Sequence, residues 1–136
     1  MDALRFFGLA RTEDPCIWQM PVVPALCSGR GTLFGGAGLG AAIEALERTT
    51  GRPLVWATAQ YLSYARPPSI MDIDVTVPVA GKTVTQARAV AHVGDTEVLT
   101  VNAALGDRDL DVSGQMAEMP EVPEPEACPV RPHRFA

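Results

Sequence analysis

Two hydrophobic rhythms divide the chain. Leu39, Ile43 and Leu46 recur at helical spacing, with Ala41, Ala42 and Ala45 between them. This predicts a helix over about 37–49, led in by Thr32-Leu33-Phe34 and the pair Gly35-Gly36. Thr49-Thr50-Gly51 stops it, with Gly51 placed as a C-terminal cap and Arg48 in the last turn, where a cation suits the dipole. The first two turns are almost wholly small or apolar, so the helix should be buried against a sheet. Gly35 and Gly36 leave N–H groups open at its positive end, which can hold an anion or a developing oxyanion.

After Arg52-Pro53 the period becomes two. Val55, Ala57, Ala59 and Tyr61 alternate with Trp56, Thr58, Gln60, Leu62 and Tyr64, a long strand closed by Arg66-Pro67-Pro68. Met71, Ile73, Val75, Val77 and Val79 alternate with Asp72, Asp74 and Thr76, a strand with one wet face. Ala80-Gly81-Lys82 and Gly94-Asp95 read as hairpin turns around a third strand over 83–93, and a fourth runs over 96–105. The expected arrangement is a four-stranded meander after the helix. One further strand, Cys16 to Val22, should precede it, placed at an edge or ended by Pro21. Leu4 to Leu9 suits a short helix or an anchoring segment, and Pro24 to Gly31 is loop. The order implies an α+β domain, an antiparallel sheet around a buried helix.

From Gly106 the pattern stops. Asp107-Arg108-Asp109-Leu110-Asp111 reads as a charged loop, and Pro120, Pro123, Pro125, Pro129 and Pro132 alternate with glutamates as an extended acidic linker. The expected division is a domain over 1–115 and a Pro/Glu-rich linker or tail over 116–136.

Composition narrows the function. The 136 residues are 47% hydrophobic and 20% charged, enough for one domain with a core. A net charge of −5 without a basic run argues against nucleic acid. No stretch suits a membrane span or a signal peptide. Cys16, Cys27 and Cys128, odd in number and far apart, suggest reduced thiols in the cytoplasm.

Several chemistries can be weighed residue by residue. Gly36-x-Gly38-x-x-Ala41 fits a dinucleotide fingerprint, but 55–66 holds no acidic residue for a ribose and no second βαβ unit follows. Glu44 is the only carboxylate in the first two turns of the helix. Buried, it would suit a general base or nucleophile; exposed, it would pair with Arg48 at i, i+4. His92 and His133 lack a partner at metal-ligand spacing, and Asp107, Asp109 and Asp111 lack the rest of a calcium loop. No metal site is expected. Ser63 is outside any nucleophile elbow, and Cys27 has no local base. Strand alternation groups Thr58, Gln60, Tyr64 and Arg66 on one face, as the lining of a polar ligand cleft or as the sheet's outer surface.

Leu33-Phe34-Gly35-Gly36 before an apolar helix, then Ala57 to Pro67 with its Tyr-x-Arg-Pro ending, then the segment Gly81 to Val90, together resemble the hotdog-fold acyl-CoA thioesterases. The likeness is to the N-terminal half of the type II, double-hotdog enzymes, with 118–132 similar to the linker that leads into their second hotdog. The resemblance implies a central helix wrapped by a curved antiparallel sheet, paired with a second hotdog or another copy as a dimer, with thioester sites between the two. It implies a hydrolase of lipid metabolism acting on acyl-CoA or another acyl thioester without a cofactor. In such enzymes an amide at the helix start holds the thioester carbonyl, a role that falls on Gly36 beside Gly35. Water is directed by a carboxylate or by a set of Asp, Thr or Ser, and Gln. The position at which single-hotdog relatives carry their acid is Ile43 here, and Glu44, one step later, is the carboxylate expected to direct water if this chain hydrolyses thioesters. In double-hotdog relatives the catalytic set lies largely in the second half. A non-catalytic half that binds acyl-CoA or only builds the dimer is therefore the alternative. A hotdog dehydratase would need a histidine near the helix start, and none is there.

Overall fold

The computed structural model describes residues 2–107 and 114–130. The expected helix is α2, Gly35–Thr50. It starts two residues before the periodic segment, because the Phe34 carbonyl accepts hydrogen bonds from the N–H groups of Ala37 and Gly38. The glycine pair thus forms its first turn. At the other end Gly51 takes the left-handed conformation (φ 67°) and donates its N–H to the Glu47 carbonyl. The buried stripe of α2 is made of small residues, Ala37, Gly38, Ala41, Ala42 and Ala45, together with Leu46, while Leu39 and Ile43 are half-buried. Small side chains let the helix axis approach the sheet closely, so periodicity in the large residues alone marks the wrong edge of the buried face.

Six antiparallel strands surround the helix in the order β1 (Ala10–Arg11), β2 (Ile17–Val22), β4 (Ser69–Ala80), β5 (Val84–Val93), β6 (Thr96–Gly106), β3 (Leu54–Tyr61). This is the architecture that the resemblance implies. α2 packs chiefly on β5, where Ala87, Ala89 and Ala91 answer the helical alanines, and also on β3, β4 and β6. Met71, Ile73, Leu99, Val101 and Leu105 complete the core. A short helix α1, Ala3–Phe7, is capped by the Asp2 carboxylate and by Gly8 (φ 63°) and lies against α2.

Only β4, β5 and β6 form the expected meander. β3 pairs with β6 at the far end of the sheet, and β4 pairs with β2 instead of with β3. The connection explains this. A tight hairpin cannot pass through Arg66-Pro67-Pro68, so the chain crosses from one edge of the sheet toward the other. β3 also ends at Tyr61, where the N–H groups of Leu62 and Ser63 both turn to the Val98 carbonyl and stop the ladder. Pro21 is tolerated because β1 covers only the first half of β2, which leaves the proline on an open edge.

Residues 116–130 are exposed throughout, with one 3₁₀ turn at Pro125–Ala127. Asp109, Asp111, Pro132 and His133 lie outside the described residues.

Candidate functional site

The start of α2 is held from two sides. The Leu33 N–H donates to the Ala65 carbonyl (2.9 Å) and the Phe34 N–H to the Leu26 carbonyl (2.9 Å). No side chain caps the helix, and no hydrogen bond among the described residues takes the N–H of Gly35 or Gly36. Two donors therefore stand open at the positive end of a 16-residue helix.

Each glycine makes room for an aromatic ring. A Cβ on Gly35 would lie 3.1 Å from the Tyr61 ring, whose hydroxyl donates to the Gly35 carbonyl at 3.1 Å. A Cβ on Gly36 would lie 2.6 Å from the Phe34 ring, which is 60% exposed.

Two cavities flank this turn. One, of about 420 Å³, is lined by Phe6, Phe7, Leu26, Phe34 and Gly36 among others. The second, of about 300 Å³, brings polar groups from Ser28, Arg30, Thr32, Ser63 and Tyr64 beside Gly35 and Tyr61. Leu33, Ala65, Val98 and Leu99 also line this second cavity, so it differs from the first in adding polar side chains to an apolar floor, and the open amides lie between the two.

The other expected site residues are dispersed. Thr58 and Gln60 lie on the outer face of β3, opposite Ala57 and Ala59, which pack toward the core. Tyr64 lines the second cavity and is 77% exposed. Arg66 lies beyond the strand end, exposed, and its carbonyl accepts from the Ser69 hydroxyl. The strand alternation that grouped these four stops at Tyr61, so they do not share a face. Glu44 lies two turns along α2 from Gly36, about 12 Å by helical rise. Its side chain is only 14% exposed and accepts from Arg48 Nε at 2.8 Å. That hydrogen bond, with the carboxylate charge, holds the Arg48 pKa above its usual value. The pair predicted at i, i+4 is formed, but with its acid half largely covered.

His92 acquires a carboxylate partner that its own strand does not supply. Its Nε2 lies 3.1 Å from Asp74 Oδ2 on β4, and its Nδ1 lies 2.8 Å from the Gly94 carbonyl. Partial burial works against the charged ring, but the Gly94 carbonyl and the Asp74 carboxylate outweigh it and raise the pKa. Among the described residues, no three His, Cys, Asp or Glu side chains gather as a metal site, and no helix is long and apolar enough to cross a membrane.

Sequence reasoning missed Tyr61, Phe34, Arg30 and the Phe6–Phe7 pair. The Tyr61 position at the end of an inward-facing series with Ala57 and Ala59 was the one available signal; the others meet only through long-range packing.

No family model and no curated protein matches the chain. Solved structures do. A protein of Novosphingobium aromaticivorans assigned as a thioesterase is 34% identical, with a TM-score of 0.81 over 89% of this chain and 49% of its own. The TesB protein of Mycobacterium avium subsp. paratuberculosis is 23% identical, with a TM-score of 0.77 over 92% of this chain and 48% of its own. The chain therefore spans about half the length of these two proteins. A Streptococcus mutans protein bound to acetyl-CoA shares the fold at 15% identity, with a TM-score of 0.66 over 74% of this chain and 90% of its own.

Proposed function

We propose that this chain, a hotdog domain similar to thioesterases built on that fold, forms half of a hydrolase that cleaves acyl thioesters such as acyl-CoA. The observation that carries the proposal is the pair of open amides, Gly36 on the first cavity and Gly35 on the second, at the start of the buried helix.

In this reading the thioester carbonyl oxygen sits over the Gly36 N–H. Water bonds to the carbonyl carbon, the developing oxyanion is stabilised by amides that need no reorganisation, and collapse breaks the C–S bond to release thiolate and acid. Ser28, Arg30, Ser63 and Tyr64 face the thiol carrier, which suits the polar, anionic body of a coenzyme A. The acetyl-CoA bound by the S. mutans neighbour supports that choice of carrier. A second hotdog, from another copy or another domain, covers the β3 edge and the exposed Trp56, Tyr61, Leu62 and Tyr64. It supplies the group that takes the proton from water. Glu44 stays with Arg48 in this scheme. Three free thiols suit a cytoplasmic enzyme.

One observation favours the non-catalytic alternative: no Asp or Glu is among the residues lining either cavity. The isolated chain would then bind acyl-CoA without turning it over.

Thiol release from acyl-CoA, followed with a chromogenic thiol reagent alongside sedimentation, tests the scheme. Cleavage should track the dimer, and Glu44→Gln should leave the rate unchanged. A drop in turnover with unchanged KM would return Glu44 to the role of base. Tight acyl-CoA binding without release of thiol would establish the alternative.

A further inference from the structure

Among the described residues, the wall of the apolar cavity carries no charged side chain and one polar side chain, Cys27, whose thiol donates to the Val23 carbonyl at 3.3 Å; the Gly36 N–H is its open backbone donor. Its remaining surface comes from the Phe6 and Phe7 rings of α1, from Ala25 and Leu26, and from Phe34 at the start of α2. About 420 Å³ is within the range of small-molecule sites. The aromatic wall is anchored. Phe7 reaches α2 at Gly40, where a Cβ would lie 2.8 Å from its ring. Phe6 meets Phe7 edge to face, with centroids 5.0 Å apart.

We propose that this cavity binds the hydrocarbon part of the acyl group, and that α1, through Phe6 and Phe7, sets acyl selectivity. The ligand class is a compact, purely apolar acyl chain of medium length. A polar group carried far along the chain is disfavoured, because Cys27 is the one side chain on these walls that could hydrogen-bond to it. The proposal rests on the hydrolase reading for the identity of its ligand but not for the existence of the site. Gly36, at the mouth, connects the two.

The cysteine offers a readout that does not depend on turnover. In a Cys16→Ser/Cys128→Ser protein, the rate at which methyl methanethiosulfonate modifies Cys27 is measured with n-alkyl alcohols from ethanol to decanol present. Occupancy of the cavity slows the modification, and the protecting concentration should fall on the order of fourfold per added methylene until the cavity is full. Ala25 is exposed at the rim, so Ala25→Trp fills the space without disturbing the core. It should abolish protection. Phe6→Ala widens the mouth and should move the length limit upward. In parallel, the ratio of hexanoyl-CoA to acetyl-CoA cleavage should fall at least tenfold in Ala25→Trp. Protection that is absent, or that ignores both chain length and Ala25→Trp, overturns the site. Protection as described with no thioester cleavage keeps the site and removes the hydrolase reading. Cleavage with an unchanged hexanoyl-to-acetyl ratio keeps the hydrolase and removes α1 as its selectivity element.

Discussion

The two ends of α2 are built on opposite principles. The C-terminal end is tied off: Gly51 caps it, Thr50 donates to the Leu46 carbonyl, Thr49 accepts from the Trp18 indole, and the Glu47 carboxylate takes the Leu54 N–H at 2.7 Å. The N-terminal end has no side-chain cap, two open amides and a cavity on either flank. A helix start usually recruits a Ser, Thr, Asp or Asn, which stabilises by about 1 kcal/mol. Phe34 in that position forgoes the stabilisation and keeps the donors available. Side-chain and capping bonds are concentrated at one end of the helix, and open backbone donors at the other.

If the ends divide labour in this way, substitutions should separate by what they change. The largest effect expected is on activity: Gly36→Val should cut thioester cleavage about 100-fold or more, the scale of losing an oxyanion donor. Its side chain would displace the Phe34 ring into the mouth while meeting no backbone, so the melting temperature should hardly move. A large fall in melting temperature would make Gly36 structural. Leu46→Ala should do the reverse. Leu46 is fully buried, and the cavity left behind should cost about 2–5 kcal/mol in chemical denaturation, with acyl-CoA affinity unchanged in the protein that stays folded. Glu47→Ala should cost less, about 1.5–3 kcal/mol, by removing a charged acceptor from the Leu54 N–H. Amide exchange at the start of β3 should accelerate, and unaltered exchange there would show that the bond does not hold the strand.

The smallest effect lies away from both ends. His92 is the only histidine among the described residues, so a stability response near neutrality is assigned to it. Its folded pKa is raised. Its stabilising contribution is therefore complete below the ordinary histidine value of about 6.5 and is lost as pH rises through the folded pKa. The melting-temperature difference between wild type and His92→Asn should be largest at acidic pH and shrink toward alkaline pH. A constant difference would place the pair's effect in packing.

What the chain declares about itself depends on the range of the interactions involved. The stop of α2 at Gly51 and the strands β4 to β6 are governed by alternation and by turns of two or three residues, all within a few positions, and those were legible. The place of β3 was not, because its pairing with β6 is decided by a proline-bearing crossover and not by the strand's own residues. The helix start was misread by two residues because glycine carries no helical signal, whereas the Phe34 carbonyl that accepts the first bonds is itself positioned by Leu26. The same distinction holds at the site. Gly35 and Gly36 could be picked out from their local sequence. Tyr61, Phe34 and the α1 aromatics could not, since they meet the glycines only after folding. His92 found Asp74 through cross-strand register, and Thr58, Gln60, Tyr64 and Arg66 separated because a bulge-like sharing of the Val98 carbonyl ended the alternation.

The sheet has two dissimilar margins. On one, β1 is two residues long, and Pro21 removes a donor from the part of β2 that β1 leaves uncovered. On the other, β3 runs eight residues, Leu54–Tyr61, with no strand beyond it among the described residues. Strand addition can proceed at one margin only. A second sheet joining there by a two-fold axis would consume the receptive edge of both molecules, and growth would end with the pair. Had both margins been long and rich in donors, the same surface would have propagated head to tail into a fibre. In any assembly through β3, the proline and the truncated first strand would act as a terminator and favour a closed unit.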